Sequence, residues 1–173
     1  ARIAEIVRSM KDFSHVDQEE KKQVDLNRAI NGTLVMARSE YQKVADLHTD
    51  FTPLPEIVCH GAQINQVVLN LVVNAAHAIA DKVGDSGARG RITVSTRIEQ
   101  NHAVIAVEDD GGGIPEEVRS RIFDPFFTTK EVGRGTGQGL ALARAVVVDE
   151  HGGTLTFDTE PGKGTTFYVS LPI

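Results

Sequence analysis

Three polar side chains recur along one stripe of an otherwise apolar segment, "QVVLNLVVNAAHAI" at residues 66–79. Asn70 and Asn74 are four residues apart and His77 follows three residues later, so in a helix all three project from one face. Asparagine is a poor helix former, and a buried amide without a partner costs about 1–3 kcal/mol. The neighbouring apolar residues leave no broad polar face. This pattern favours a polar ligand over the alternative, a solvent-facing surface of an amphipathic helix.

A carboxylate ends the strand pattern of "AVIAVEDDGGGIP". Alternation places Asp109 on the same side as Ile105 and Val107, and the three glycines that follow permit close approach of a ligand to the backbone. Such a carboxylate can accept hydrogen bonds from an exocyclic amine, for example that of adenine. A glycine-rich turn whose aspartate caps the next element is an equally good interpretation.

The segment "GRGTGQGLALA" places glycines at 135, 137 and 139 before a helix, whose free amides and positive dipole end suit phosphate. No apolar strand leads into this segment, which excludes a dinucleotide-binding fingerprint, and no Gly-Lys-Ser/Thr sequence follows it, which excludes a P-loop. The alternative to a phosphate-binding loop is a plain flexible loop. In the preceding "IFDPFFTTK", the phenylalanines are expected anchors, and Lys130 either reaches a phosphate or is solvated. Thr165 either meets a base or is simply a strand-forming residue.

The elements that must position these residues follow from periodicity and caps. We predict three helices, from Asp25 to about Tyr41, from Gly61 to about Lys82 and at residues 140–151, together with a short helix near residues 115–123. We also predict strands at residues 44–51 and 56–60 around a proline turn, and β-hairpins at residues 91–110 and 154–173. Helices and strands do not alternate as βαβ units do. The order favours an α+β two-layer sandwich, with a mixed, mostly antiparallel sheet of about five strands covered on one face by three helices.

Residues 1–13 carry a narrow apolar seam that suits a partner helix or coiled coil, although an ordinary amphipathic helix fits equally well. Residues 14–23 are polar and are predicted to be a linker. Because the chain opens within a helical pattern, we expect a fragment. Residues 1–24 would then stand apart from a globular domain at residues 25–173.

Composition excludes several classes of function. A net charge of −6 over 173 residues, without a basic stripe, argues against nucleic-acid binding but is compatible with an anionic nucleotide held by a glycine loop. The single cysteine, Cys59, excludes intrachain disulfides and CxxC sites. No signal peptide or membrane-length apolar run is visible. We expect a reduced, cytoplasmic setting and leave open whether the parent protein is anchored to the inner membrane.

Four of these segments, in order, resemble the motifs of the catalytic ATP-binding domain of sensor histidine kinases, in the GHKL superfamily. "QVVLNLVVNAAHAI" looks like the asparagine box, "DDGGGIP" like the first glycine box, "IFDPFFTTK" like the phenylalanine box and "GTGQGLALA" like the second glycine box. "GKGTTFYVSLP" resembles the closing strand. The resemblance extends from about Asp25 to the end of the chain, and four motifs in the right order make it specific.

The resemblance implies roles for the polar stripe. Asn74 would ligate the Mg²⁺ that bridges the ATP phosphates, and Asn70 would support it one turn earlier, so these two are the expected catalytic residues. His77 stands where many relatives carry a lysine or similar residue that reaches phosphate.

The resemblance also implies an adenine pocket and a lid. Asp109 would take the adenine amine, Gly111 and Gly113 would admit the base, and Thr165 would close a water network beneath it. Ile114 would be a further ATP-binding residue. Residues from about Arg119 to Gln138 would form the ATP lid, with Lys130 near the phosphates. The remaining nucleotide contacts would lie at the start of the following helix: Gly135, Thr136, Gly137, Gln138, Gly139 and Leu140.

Kinases of this family transfer the γ-phosphoryl group to a histidine on a separate helical domain, which also dimerises, and they act with a response regulator. Residues 1–13 would be the end of that domain's second helix. The phosphoacceptor motif, a histidine followed by an acidic residue and further on by a proline, is absent around His15, as it is around His48, His60, His102 and His151. We therefore expect a catalytic domain without its substrate histidine, monomeric as a fragment and from a homodimeric parent.

Two other functions compete with this interpretation. ATPases such as the DNA gyrase B subunit, MutL and the ninety-kilodalton heat-shock chaperone, and serine kinases of the anti-sigma type, tend to carry a glutamate where Asn70 stands. A neutral amide cannot act as a general base. The second alternative is a degenerate module that binds nucleotide, or nothing, and serves as an interaction domain; the intact motifs argue against it.

Overall fold

The computed structural model describes residues 20–125, 127 and 139–173. Strand β1 (Lys22–Val24) leads into helices α1 (Leu26–Met36) and α2 (Arg38–Tyr41), strands β2 (Ala45–Phe51) and β3 (Ile57–Cys59) and the long helix α3 (Gly61–Val83). Then come strands β4 (Gly90–Glu99) and β5 (His102–Asp109), a 3₁₀ helix (Glu116–Arg121), helix α4 (Gly139–Arg144) with a π-helical continuation (Ala145–Glu150), and strands β6 (Thr154–Glu160) and β7 (Gly164–Pro172).

Five of the strands form one mixed sheet in the order β2-β4-β5-β7-β6. Strand β2 runs parallel to β4, and the other three pairings are antiparallel. Gln100 and Asn101 both adopt positive φ, at 49° and 61°, which gives the β4–β5 hairpin a tight turn that matches the twist of its strands. The predicted α+β architecture and both predicted hairpins are confirmed.

The helices cover one face of this sheet and share one apolar core with it. Strand β5 sends Ala103, Ile105 and Val107 to that face, each no more than 1% exposed, as strand alternation requires. Helix α1 contributes Leu26, Ile30 and Leu34, and α3 contributes its apolar side from Ile64 to Ile79. The predicted two-layer arrangement is therefore confirmed, with α3 lying on the centre of the sheet.

The structure differs from the sequence prediction near the linker and the proline turn. The sequence predicts a linker at residues 14–23, yet Lys22–Val24 form β1. This strand pairs antiparallel with β3, and Val24 lies opposite Ile57. The two strands predicted around the proline turn exist but belong to different sheets, since β2 joins the five-stranded sheet and β3 joins β1. Polar side chains do not prevent such pairing, because backbone groups make the hydrogen bonds and Val24 packs on the core.

Residues 1–19 lie outside the described residues. The helix predicted over 1–13, most of the predicted linker and the division at residue 24 therefore stay predictions. Within the described ranges, none of the helices is both long and apolar enough to cross a membrane.

Candidate functional site

A cavity of about 670 Å³ opens beside α3, between the loop after β5 and the start of α4. Its volume is in the range of pockets that take small-molecule ligands. Most of its wall is apolar, and the described polar side chains in it come from α2, from α3, from the end of β5 and from the start of β7. Apart from Gly111, the candidate residues that the structure describes, although predicted from separate motifs, thus line one cavity.

Helix α3 presents the predicted polar stripe to this cavity. Asn70, Asn74 and His77 are half-buried and line it together with Leu69 and Val73. The other side of α3 is packed into the core. The stripe therefore faces a cavity rather than open solvent, as expected for residues that meet a polar ligand.

Asn70 links α3 to the start of α4. The Gln66 amide nitrogen donates to Asn70 Oδ1 at 3.0 Å, and Asn70 Nδ2 donates to the carbonyl oxygen of Gly139 at 3.3 Å. Each end of the Asn70 amide thus has a hydrogen-bond partner. The side chain fixes the position of two helices and offers no basic atom to a reacting water.

Asp109 lies at the end of β5, on the core face, and is only 6% exposed. Its Oδ1 accepts a hydrogen bond from the Gly111 backbone N–H at 2.9 Å. Burial raises the pKa of this carboxyl from 3.8 to about 6, against the opposing effect of backbone hydrogen bonds from Gly111 and Thr165. A carboxylate held in this way is a strong acceptor for a donor group on a ligand that enters the cavity.

Thr165 lies directly opposite Asp109 in the pairing of β5 with β7 and is equally buried. Its hydroxyl is 2.9 Å from the hydroxyl of Thr159, which also accepts a hydrogen bond from the Ile114 N–H at 2.8 Å. Thr159 therefore ties the loop after β5 to the β6–β7 hairpin. The sequence interpretation missed Thr159, although the register of that hairpin could have paired it with Thr165.

The glycines after Asp109 permit close packing of backbone. A Cβ on Gly111 would lie 2.8 Å from the backbone of Ala78 on α3, and a Cβ on Gly113, which has φ of 77°, would lie 2.6 Å from the carbonyl oxygen of Glu160. Gly113 and Ile114 line the cavity, whereas Gly111 is buried against the helix. Gly111 thus lets the loop approach α3.

Three charged residues at the cavity were also missed from the sequence: Glu40, Asp81 and Lys82. Lys82 Nζ donates to the carbonyl oxygens of Asp110 and Gly162, both at 3.0 Å. A lysine in the last turn of a helix ordinarily indicates only a favourable interaction with the helix dipole. No sequence signal pointed to these two carbonyls.

Gly139 and Leu140, at the start of α4, line the cavity as predicted. Phe127 also lines it, and the Arg121 guanidinium lies 4.6 Å from the centre of its ring. The other candidates from the predicted lid and phosphate loop lie outside the described residues: Lys130, Gly135, Thr136, Gly137 and Gln138.

Comparison with known proteins gives a family for this arrangement. Residues 59–173 match the model of the histidine kinase-, DNA gyrase B- and HSP90-like ATPases. The chain is 33% identical over 177 residues to the signal transduction histidine-protein kinase AtoS of Escherichia coli (strain K12), a match that covers 99% of this chain and 27% of AtoS. The chain therefore spans about a quarter of the length of that relative.

Solved structures agree with the family match. The catalytic domain of the histidine kinase ThkA is 30% identical, with a TM-score of 0.75 over 89% of this chain and 96% of that domain. ThkA in complex with the response regulator protein TrrA is 27% identical, with a TM-score of 0.74 over 99% of this chain and 47% of that one. The chain belongs to the family of histidine kinase-, DNA gyrase B- and HSP90-like ATPases, and within it to the ATP-binding catalytic domains of sensor histidine kinases.

Proposed function

We propose that the cavity binds ATP with its adenine against Asp109 and its phosphates along the stripe of α3 and the start of α4. The observation that carries this proposal is the buried carboxylate of Asp109 at the cavity, opposite Thr165 in the sheet. An exocyclic amine that donates to Asp109 would compensate for the unfavourable burial of its charge. The roles of His77, Gly113, Ile114 and Leu140 in holding the nucleotide belong to the same proposal, as do those of the glycine loop.

A magnesium ion fits the residues of this site. Asn74 lines the cavity one turn beyond Asn70, and its side chain would supply an amide oxygen. Mg²⁺ prefers oxygen ligands and keeps several waters. One protein oxygen together with phosphate oxygens is therefore a sufficient donor set. Bound there, the ion would neutralise negative charge on the phosphates. Asn74 is the proposed ligand of the metal, and Asn70 positions the helices around it.

The γ-phosphoryl group would be transferred to a histidine rather than to water. Asn70 stands where a water-activating glutamate would be needed, and its amide is committed to Gln66 and Gly139. Without a base at that position, the site holds ATP until an acceptor arrives. The acceptor would be an imidazole nitrogen on a dimerisation domain, and ADP would leave as the new nitrogen–phosphorus bond forms.

The partners follow from this proposal. The parent protein would be a cytoplasmic or membrane-anchored homodimer that phosphorylates its own helical domain and then a response regulator in two-component signalling. The complex of ThkA with TrrA supports a response regulator as partner. The net charge of −6 supports the expectation that nucleic acid is not a partner.

Titration of this chain with a fluorescent ATP analogue, in Mg²⁺ and then in excess EDTA, tests the proposal. We expect saturable binding in the micromolar to millimolar range that weakens without the metal. Asn74→Ala should lose the effect of Mg²⁺, while Asn65→Ala, on the same helix but outside the cavity lining, should behave as the wild type. An absence of binding in Mg²⁺, or binding that Asn74→Ala leaves unchanged, would contradict the proposal.

A further inference from the structure

Lys82 joins two loops that are distant in sequence. Its ammonium donates to the carbonyl oxygen of Asp110, 28 residues away, and to that of Gly162, 80 residues away. Hydrogen bonds from a charged donor are stronger than those between neutral groups. A single side chain in the last turn of α3 therefore holds the loop after β5 and the β6–β7 turn together.

The two loops are packed too closely to shift independently. The Gly162 N–H donates to the carbonyl oxygen of Gly112 at 2.8 Å. A Cβ on Gly113 would lie 2.6 Å from the carbonyl oxygen of Glu160, and a Cβ on Gly164 would overlap the carbonyl oxygen of Asp109. A displacement of one loop must therefore be followed by the other.

Each loop adjoins one of the buried polar groups of the cavity. Asp109 immediately precedes Asp110, and Thr165 follows the turn that contains Gly162. The two groups are opposite each other in the sheet. Carbonyl oxygens that converge on one point repel each other unless a cation lies between them. Lys82 supplies that cation, and it also lines the cavity.

We infer that Lys82 is a positioning residue for recognition of the nucleotide base, because its ammonium fixes the two loops that present Asp109 and Thr165. This inference rests on the proposed ATP-binding function. Lys82 acts through backbone carbonyls and does not itself need to touch the base. Its effect should therefore appear in selectivity for the base, and not only in the stability of the fold.

Comparison of ATP with inosine triphosphate, which has a carbonyl oxygen in place of the exocyclic amine, tests this role. For the wild type we expect clear preference for ATP. Lys82→Met, which keeps the length of the side chain without its charge, should weaken ATP binding about tenfold and inosine triphosphate binding less, so that the preference shrinks. Lys82→Arg should restore most of the preference.

The matched control is Lys163→Met. Lys163 is an exposed lysine of the same β6–β7 turn, and its ammonium contacts Glu160 rather than the loop after β5. This variant should keep the wild-type affinities. A measurement without nucleotide is hydrogen exchange at the Gly162 amide, which should become at least about tenfold faster in Lys82→Met because its bond to Gly112 opens more often.

The outcomes separate this inference from the proposed function. If the wild type prefers ATP and Lys82→Met shows the same preference with only a lower melting temperature, Lys82 is merely structural and the inference is overturned. A rate of hydrogen exchange at the Gly162 amide that is unchanged in Lys82→Met would overturn the inference as well. If the wild type binds neither nucleotide, the proposed function fails, and the inference fails with it.

Discussion

Asp109 shows the conflict between function and stability at the scale of one residue. Its carboxyl is buried at the cavity, and its pKa is raised to about 6, so above that pH the empty site contains an ionised group that water solvates poorly. One pKa unit corresponds to about 1.4 kcal/mol. The ionised carboxylate therefore costs the nucleotide-free domain up to about 3 kcal/mol near neutral pH. A residue kept at such a cost is expected to bind a ligand.

Asp109→Asn should have opposite effects on binding and on stability. The amide keeps an acceptor for the Gly111 N–H but loses the charge, so we expect ATP affinity to fall at least about a hundredfold and unfolding at pH 7.5 to require up to about 3 kcal/mol more. Calorimetric titration and denaturant unfolding measure the two effects. Asp50→Asn, which makes the same substitution at an exposed position on β2, is the control. A variant that binds ATP normally would contradict the role of Asp109.

The pH dependence of Asp109 can be observed directly in the free domain. Because its folded pKa is raised from 3.8, its contribution to stability is greatest below about pH 4 and is lost as the pH rises through about 6. Carbon-13 NMR of the Asp109 carboxyl should give a midpoint near pH 6, and bound ATP should lower it, since the amine favours the ionised form. A midpoint near 4 in the free domain would show that the group is not desolvated.

At the scale of elements, two polar links join α3 to the last helix in addition to the apolar core that they share. At the cavity, Asn70 joins α3 to Gly139. At the N-terminal end of α3, the N–H of the cap residue His60 donates to His151 Nε2 at 3.0 Å. His151 Nδ1 in turn donates to the carbonyl oxygen of Val146 at 2.8 Å. Only a neutral imidazole makes both bonds, because one ring nitrogen must accept and the other must donate.

Asn70→Ala should leave the fold and nucleotide binding almost intact. It should impair phosphoryl transfer, because Asn70 would no longer position α3 and the start of α4, along which the phosphates are proposed to lie. The lost hydrogen bond to Gly139 is long, so we expect a decrease in the free energy of unfolding of about 1 kcal/mol or less and an unchanged circular dichroism spectrum. Gln66→Ala leaves the link to Gly139 in place and should have a smaller effect on transfer. A loss of ATP binding in Asn70→Ala as large as that in Asn74→Ala would mean that Asn70 also holds the metal.

The link through His151 should make the fold sensitive to acid. Burial lowers the pKa of His151, and Lys21 and His60 lower it further, while the Val146 carbonyl and Glu150 act in the opposite direction. Because the unfolded chain then binds the proton more readily, the contribution of His151 to stability is complete above about pH 6.5 and is lost as the pH falls.

Denaturant unfolding between pH 5 and 7.5 tests this effect. His151→Gln, which keeps an acceptor but cannot be protonated, should show a flatter dependence of stability on pH than the wild type. His48→Gln, which changes an exposed histidine on β2, should retain the wild-type dependence. Equal slopes in His151→Gln and the wild type would show that folding does not lower the pKa of His151.

At the scale of the whole molecule, the periodicity of helices and strands predicted on which face of its element each site residue lies. Strand alternation correctly placed Asp109 on the core face, and helical spacing brought Asn70, Asn74 and His77 to one cavity. Contacts between elements have no such signal. The pairing of β1 with β3 and the bonds of Lys82 depend on where distant backbone groups meet, which only the assembled fold determines.

Phosphoryl transfer in trans tests whether this domain holds ATP for a histidine acceptor. The helical domain proposed to carry the acceptor histidine in the parent protein is mixed with this chain, Mg²⁺ and γ-labelled ATP, with Asp109→Asn as the inactive control. We expect phosphate on the helical domain that is acid-labile and base-stable, and no label with the control. Release of inorganic phosphate by the wild-type chain without labelling of the helical domain would identify an ATPase and rule out the kinase.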